Sequence, residues 1–205
     1  MPQLVLASAS PRRAELLRQV GWSFTVWPSG AEDETRGVVP ASPAAGGPGW
    51  TLDAVRARAR QAALEKARPV MQAQPDAVVI AADTVVVVDG VVLGKPSTAA
   101  EAEEMLRQLS GRAHQVTTGI VVAHGRGGVV LAEDETTTVW FRRLEPDEIS
   151  RYVATGEPMD KAGAYGIQGR AALFVERLEG DYFTVVGLPL ARLARMLQRI
   201  GMPAV

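Results

Sequence analysis

The sequence at residues 81–96 is AADTVVVVDGVVLGKP, and it predicts a β-hairpin in the middle of a sheet. Two apolar runs flank Asp89-Gly90, a pair that suits a two-residue turn in which both residues have positive φ. Asp83 opens the first run and Lys95 closes the second, so antiparallel pairing should bring both side chains to one edge of the sheet. The segment therefore predicts a carboxylate and an ammonium group that face a common ligand. The alternative is an edge Asp and a solvated Lys, both of which are common.

The bulk composition indicates one domain that spans residues 1–205. The formal net charge is -1, so no overall positive field favours a nucleic-acid or anionic-membrane partner. The absence of cysteine excludes disulfides, thiolate metal sites and thiol nucleophiles, and it favours a reducing compartment. The chain has neither a signal-peptide pattern nor a run of about 18 apolar residues. We expect a soluble, cytoplasmic protein.

A helix near the start of the chain carries a candidate anion site. A buried strand leads to Ser8, and Ser10 and Pro11 suit the N-cap and first position of the helix that follows. Arg12 and Arg13 then lie in the first turn, where the helix dipole is already positive and acidic residues are preferred. Hydroxyls, free backbone N–H groups and two guanidinium groups suit a chain of phosphates. Alternatively, both arginines are solvated or paired with nearby acids.

A cluster of three acids within residues 29–35 is a candidate cation site. Such a cluster is usually a solvated loop, but in a binding site it could hold a hard divalent cation through oxygen ligands.

A long helix is predicted from Thr51 to Arg68, where Pro69 should stop it. Lys66 continues the apolar stripe of this helix and could therefore point inward. It could equally lie at the helix C-terminus because the dipole favours a cation there.

The second half of the chain predicts alternating helices and strands. We expect a helix from Thr98 to Leu109, strands near 115–123 and 129–141, a helix at Pro146–Val153, strands near 172–178 and 182–186, and a last helix opening at Gly187. Residues 160–169, DKAGAYGIQG, form a glycine-rich segment in which Gln168 offers both a donor and an acceptor. This segment suits recognition of a flat ring, or it is only a flexible turn.

Several common site types are excluded by spacing. Gly94-Lys95-Pro96-Ser97 lacks the earlier glycine of a Walker motif, and Pro96 interrupts the motif itself. The spacing of the glycines in residues 160–169 does not match a Rossmann fingerprint. The two histidines lie far from the acids and near turns, which gives little support to a zinc site or a catalytic triad. Oxygen ligands with Arg and Lys remain, and they suit phosphate-ester hydrolysis.

Five motifs in sequence order give the chain a close, nearly end-to-end resemblance to the Maf family of nucleoside triphosphate pyrophosphatases. They are Ser8-x-Ser10-Pro11-Arg12-Arg13, Ala82-Asp83-Thr84, Gly94-Lys95-Pro96, Asp160-Lys161-Ala162-Gly163-x-Tyr165-x-Ile167-Gln168-Gly169 and Val185-Val186-Gly187-Leu188-Pro189. The resemblance implies an α/β fold like that of the inosine triphosphate pyrophosphatases, with a long curved mixed sheet flanked by helices and two lobes around a cleft. It also implies hydrolysis of nucleoside triphosphates to the monophosphate and pyrophosphate, with Mg²⁺ or Mn²⁺ as cofactor.

The resemblance also assigns roles to residues. Asp83 would be the general base and a metal ligand, while Ser8, Arg13, Lys66 and Lys95 would bind the triphosphate. Arg12, Thr84 and Gln168 match positions that separate the dTTP/UTP branch of the family from the 7-methyl-GTP branch, and all three favour the pyrimidine. The second metal ligand would be Asp33 or Glu34, and we favour Glu34.

Physical chemistry supports two of these roles. Asp83 among cations should be ionised at neutral pH and able to deprotonate water. Gln168 can bond to the edge of uracil or thymine in both directions.

The same resemblance leaves alternatives. The family also carries a septum-inhibitor label, so the protein could be a nucleotide-binding regulator of cell division. A 7-methyl-GTP pyrophosphatase is a further possibility. A homodimer is implied by the resemblance alone.

Overall fold

The fold is an open α/β structure built on one mixed sheet. The computed structural model describes residues 2–30 and 49–202, together with the backbone of 38–39. In this part of the chain the strands are β1 Leu4–Leu6, β2 Thr25–Val26, β3 Val38–Val39, β4 Val78–Val88, β5 Val91–Leu93, β6 Ala113–His124, β7 Val129–Phe141 and β8 Val175–Glu179. The helices are α1 Pro11–Gln19, α2 Leu52–Ala73, α3 Ala99–Leu109, α4 Pro146–Val153, α5 Tyr182–Val186 and α6 Leu190–Arg199, with 3-10 turns at Glu157–Asp160, Ala162–Ala164 and Arg170–Phe174.

The predicted hairpin is confirmed as the junction of β4 and β5. Val86 pairs with Leu93, and the turn residues Asp89 and Gly90 have φ of 49° and 75°. Such a pair of positive φ values matches the twist of the two strands that it joins. One detail of the prediction is wrong: Asp83 does not open β4 but lies in its middle, because the apolar run before it is part of the same strand.

The sheet forks at β4, and this fork positions the site. Along one edge β4 pairs with β6 over residues 78–87. Along its other edge it pairs in parallel with β1 over Val78–Ile80 and antiparallel with β5 over Val86–Val88. Residues 81–85 therefore have no strand partner on that edge in the described part of the chain. The fork opens a cleft between two arms, one made of β1 and β2 and the other of β5 and β3.

Both faces of β4 are buried, so its side chains alternate between two cores. Val79, Ala81, Val85 and Val87 face α2, whose buried side chains include Ala63 and Ala67. Ile80, Ala82 and Val86 face the larger core, which α1, α3, α4 and α6 complete. By the period of two along a strand, Asp83 faces α2 and Thr84 faces the opposite core. The fork exposes both side chains to one cleft.

Three predicted elements differ in the structure. The strand predicted near 172–178 is β8, which begins only at Val175, since residues 170–174 form a 3-10 turn. Helix α2 continues through Pro69 to Ala73 because Pro69 is on its exposed side, while Val70 beyond it is buried. The apolar run 182–186 is helix α5 rather than a strand. Asp181 caps this helix through a hydrogen bond of 2.6 Å from the Thr184 backbone N–H to the Asp181 carboxylate. No helix of the described residues is long and apolar enough to cross a membrane.

Candidate active site

A cavity at the fork of the sheet contains all of the predicted site residues that the structure describes. They are Ser8, Arg12, Arg13, Lys66, Asp83, Thr84, Lys95 and Gln168. The predicted metal ligand Glu34 and its alternative Asp33 lie outside the described residues. The described lining includes five cationic side chains and two carboxylates, although the whole chain carries a net charge of -1. The positive charge is therefore local, as an anion site requires. The roles of these residues stay predictions.

A buried ion pair joins Lys66 and Asp83 beneath the cavity. Lys66 Nζ lies 2.5 Å from Asp83 Oδ1. The inward orientation that the apolar stripe of α2 allowed for Lys66 is confirmed, since only 8% of the residue is exposed. A buried carboxylate needs a countercharge and a hydrogen bond, and Lys66 supplies both. The pair holds Asp83 in one orientation at the centre of the fork.

Arg13 connects three segments of the cavity wall. Its guanidinium donates to Ser8 Oγ at 3.1 Å, to Thr84 Oγ1 at 3.2 Å and to the carbonyl of Gly187 at 2.8 Å. Ser8 follows β1, Thr84 lies on β4 and Gly187 ends α5. The planar fork of donors in arginine suits this geometry. Arg13 therefore fixes the N-terminus of α1 against the open edge of β4.

Arg12 has a protein partner across the cavity. Its guanidinium donates to Asp160 Oδ2 at 3.3 Å, and Lys161 Nζ lies 2.6 Å from the other oxygen of the same carboxylate. These two cations lower the pKa of Asp160, although its partial burial opposes them. The sequence left open whether nearby acids pair with the arginines of the first turn, and for Arg12 one does. Asp160 thereby ties the N-terminus of α1 to the glycine-rich segment.

The glycines of residues 160–169 make room for protein side chains. A Cβ atom at Gly166 would lie 2.6 Å from Cε of Lys161, and one at Gly169 would lie 2.2 Å from a carboxylate oxygen of Glu157. Lys161 Nζ also donates to the Glu157 carbonyl at 2.6 Å. The segment is thus a packed turn rather than a flexible one. It presents Gln168, which is exposed, at the rim of the cavity.

The donor chemistry of the site fits a hard divalent cation. Asp83 Oδ1 binds Lys66, and Asp83 Oδ2 has no partner among the described residues. Those residues contain no group of three or more acidic, histidine or cysteine side chains that could hold a metal by themselves. Mg²⁺ is commonly bound by one or two carboxylates together with substrate phosphates and water, so a single free carboxylate oxygen suffices from this part of the chain.

Some residues of the site were not predicted. Asp160 and Lys161 begin the glycine-rich segment 160–169. The excess positive charge in the first turn of α1 was the signal in the sequence that an acid faces this turn. Thr118 lies opposite Thr84 in the pairing of β4 with β6. Its place next to the cavity depends on the strand register, which no local pattern encodes.

Together, these features define a class of protein: an open α/β fold in which a forked sheet holds a buried carboxylate within a cationic cleft. The chain belongs to the family of Maf-like proteins, since the sequence model of that family matches residues 3–200.

Relatives of the chain carry a common name. It is 51% identical to a dTTP/UTP pyrophosphatase of Symbiobacterium thermophilum, over 99% of this chain and 96% of the relative. Its identity to a dTTP/UTP pyrophosphatase of Moorella thermoacetica is 50%, over 98% of this chain and 96% of the relative. A dTTP/UTP pyrophosphatase of Methanosarcina barkeri is 45% identical over 98% of both chains.

Proposed function

We propose that the protein hydrolyses nucleoside triphosphates, with dTTP and UTP preferred, to the nucleoside monophosphate and pyrophosphate. The observation that carries this proposal is the position of the Lys66–Asp83 pair, in one cavity with Arg13, Ser8 and Lys95. A carboxylate that can take a proton from water thus lies among groups that suit phosphate oxygens. The names of the relatives support the choice of substrate.

The reaction breaks the anhydride bond between the α and β phosphates. A water molecule gives its proton to Asp83 and its oxygen to one of the two phosphorus atoms, and the bond from that phosphorus to the bridging oxygen breaks. The electron pair of that bond leaves with the bridging oxygen. Lys66 keeps Asp83 oriented, while Arg13 and Lys95 offset charge on the phosphate oxygens.

We propose a divalent cation, Mg²⁺ or Mn²⁺, as the cofactor. Asp83 would hold it through Oδ2, with Glu34 as the second carboxylate. When bound, such a cation withdraws charge from phosphate oxygens and lowers the pKa of its water.

A product assay with a small substrate panel tests the function. The purified protein is given dTTP, UTP or 7-methyl-GTP with Mg²⁺ or Mn²⁺, and pyrophosphate and orthophosphate are measured separately. We expect pyrophosphate as the product, with dTTP and UTP used far better than 7-methyl-GTP. Release of orthophosphate alone would contradict cleavage at the α–β bond. A preference for 7-methyl-GTP would contradict the assignment of Arg12, Thr84 and Gln168.

We propose two further properties, the compartment and the oligomeric state. We expect the enzyme to work in the cytoplasm as a homodimer. Strand β2 lies at the end of the sheet. Its last residue, Val26, and the next residue, Trp27, are 44% and 46% exposed and offer an apolar surface to a second copy. Sedimentation of the wild-type protein and of Trp27→Glu tests this: the wild type should be a dimer and the variant a monomer.

A further inference from the structure

Three hydroxyl and carbonyl groups form a chain that starts inside the cavity and ends in the core. Thr84 Oγ1 lies 2.9 Å from Thr118 Oγ1, and Thr118 Oγ1 lies 2.8 Å from the carbonyl oxygen of Thr184. Thr118 and Thr184 are fully buried, whereas Thr84 is half-buried and lines the cavity. The chain therefore joins a group that can touch a ligand to one that no ligand can reach.

The direction of every hydrogen bond in this chain is fixed by elementary chemistry. A carbonyl oxygen only accepts, so Thr118 must donate its single hydroxyl proton to Thr184. With that proton used, Thr118 can only accept from Thr84. The hydroxyl proton of Thr84 must therefore point at Thr118, away from the cavity.

The Thr184 carbonyl holds this arrangement in place. Helix α5 ends at Val186, and the backbone N–H of Leu188 bonds to Phe183 rather than to Thr184. The Thr184 carbonyl is thus one of the terminal helix carbonyls that need a partner from outside the helix. A buried carbonyl without a hydrogen-bond partner destabilises the folded protein. The Thr118 hydroxyl therefore keeps its proton directed at the Thr184 carbonyl.

These bonds determine which hydrogen bonds the Thr84 hydroxyl can still make with a ligand. A hydroxyl oxygen has one proton and two lone pairs. Thr84 gives its proton to Thr118 and receives one from Arg13 Nη2 at 3.2 Å. One lone pair is left. Thr84 can therefore accept a hydrogen bond from a ligand but cannot donate one, so it is unsuited to a phosphate oxygen, which at neutral pH mainly accepts.

We infer that Thr118 is a positioning residue for substrate choice: it fixes Thr84 as an acceptor, and the bound pyrimidine donates its ring N3–H to Thr84. This inference rests on the proposed function and gives it a chemical reason. Uracil and thymine share an N3–H donor, whereas N3 of cytosine carries a lone pair that would face the lone pair of Thr84. A site with an acceptor at this place accepts dTTP and UTP together and disfavours CTP.

The test compares UTP with CTP in wild-type and variant proteins. We expect the wild type to show a kcat/KM for UTP at least roughly tenfold above that for CTP, the scale of one hydrogen bond lost or made repulsive. In Thr118→Val the Thr84 hydroxyl is free to turn its proton into the cavity, so the ratio should fall towards one. Thr118→Ser keeps the hydroxyl and should restore the wild-type ratio.

A second buried threonine supplies the matched control. Thr137 is fully buried, and its hydroxyl donates to the Asp181 carbonyl at 2.8 Å, at the other end of α5. Thr137→Val therefore loses the same kind of bond to the same helix without touching Thr84. It should lower stability as Thr118→Val does but leave the UTP/CTP ratio unchanged. An equal change of the ratio in both variants would overturn the inference in favour of a structural role.

Binding measurements separate this inference from the proposed function. The α,β-methylene analogues of UTP and CTP, which cannot be cleaved, are titrated calorimetrically into the wild-type protein. Tighter binding of the UTP analogue is expected even if no hydrolysis is seen. The two analogues share their ribose and phosphates and differ only in the base, so equal binding of both would overturn the inference. This result is obtained on the wild-type protein and does not depend on whether Thr118→Val folds. Hydrolysis of UTP with equal use of CTP would leave the proposed function standing and overturn this inference alone.

Discussion

Lys66 Nζ lies 2.5 Å from Asp83 Oδ1, and their side chains are 10% and 5% exposed. Asp83 is therefore a charged group that is fixed in position before any substrate binds. Its neighbour along β4, Thr84, faces the opposite side of the sheet, and the fork allows both to reach the same cavity. This arrangement places a candidate base and a candidate recognition group on consecutive residues.

The role of Asp83 as the base predicts a large loss of activity in Asp83→Asn. An amide cannot take a proton from water, so pyrophosphate release from UTP should fall roughly 10²- to 10⁴-fold. Calorimetric binding of the α,β-methylene analogue of UTP should show that the cavity is still formed. Activity above a tenth of the wild-type value would rule out Asp83 as the base.

The same pair makes a prediction about stability. Lys66→Met leaves a buried carboxylate without its countercharge and should cost about 3–5 kcal/mol of unfolding free energy. The double variant Lys66→Met/Asp83→Asn removes both charges and should be more stable than Lys66→Met alone, although inactive. Urea denaturation of the four proteins in this cycle measures the coupling. Simple additivity of the two single losses would show that the ion pair contributes nothing.

We expect the replacement of Arg13 by lysine to weaken the binding of UTP. An ammonium group cannot donate at once to Ser8, Thr84 and the Gly187 carbonyl with the geometry of a guanidinium. Each lost hydrogen bond from the charged donor is worth about 1.5–3 kcal/mol, so Arg13→Lys should loosen the N-terminus of α1 from β4. We expect the resulting change in cavity geometry to raise KM for UTP by roughly tenfold. The control is Arg18→Lys on the same helix, which is exposed and outside the cavity. Equal KM values for the two variants would refute the prediction.

The sequence predicted those parts of the fold that depend on local chemistry. The turn at Asp89-Gly90, the cap at Thr98 and the helix Pro146–Val153 were all confirmed. The run at 182–186 was misassigned because its β-branched and aromatic residues favour a strand, whereas the cap from Asp181 determines a helix. The end of α2 was misassigned because burial of Val70 outweighs the break expected at a proline.

The site was predictable where single side chains carry unusual chemistry for their position. Two arginines in a first helical turn and an acid within an apolar strand are such cases. The excess positive charge in the first turn of α1 indicated an anionic partner, but the sequence does not show that this partner is Asp160 or that Thr118 pairs with Thr84. Both pairings depend on segments far apart in sequence, whose approach is set by strand register and core packing rather than by any local pattern.

A glycine opposite Asp83 controls how closely α2 approaches the sheet. Gly119 on β6 pairs with Asp83, and a Cβ atom at this glycine would lie 2.3 Å from the carbonyl of Ala59 on α2. Gly119→Ala should push the helix outward and carry Lys66 away from Asp83. We expect a loss of about 1–3 kcal/mol of unfolding free energy and reduced activity.

The control for Gly119→Ala is a glycine in a turn. A Cβ atom at Gly128 would meet nothing within 4 Å, so Gly128→Ala creates no clash. Its only destabilising effect is the strain of an alanine at a φ of +60°. This strain costs roughly 1–2 kcal/mol, and activity should be unchanged. Chemical denaturation and UTP hydrolysis are measured for both variants. Full activity in Gly119→Ala would show that the helix position does not matter for the site.

A buried histidine behind the cavity predicts a pH dependence of stability. His114 is 2% exposed; its Nε2 lies 2.8 Å from the Tyr165 hydroxyl, and its Nδ1 has no partner in the described part of the chain. Burial lowers the pKa of His114 from 6.5 to about 3, so the ring is neutral in the folded protein. Protonation would place a positive charge in this buried position, which is costly.

Because the unfolded chain binds a proton at His114 below pH 6.5 and the folded chain does not until about pH 3, stability should fall as the pH drops through this window. Between pH 6.5 and 5 the loss should be about 1.5 kcal/mol, measured by urea denaturation at fixed ionic strength. This range lies above most carboxylate titrations, so the histidine contribution can be isolated there. His114→Gln, which does not titrate, should lose that part of the pH dependence, and His124→Gln serves as the matched histidine control. If His114→Gln keeps the full wild-type slope, His114 is not the group that links stability to pH.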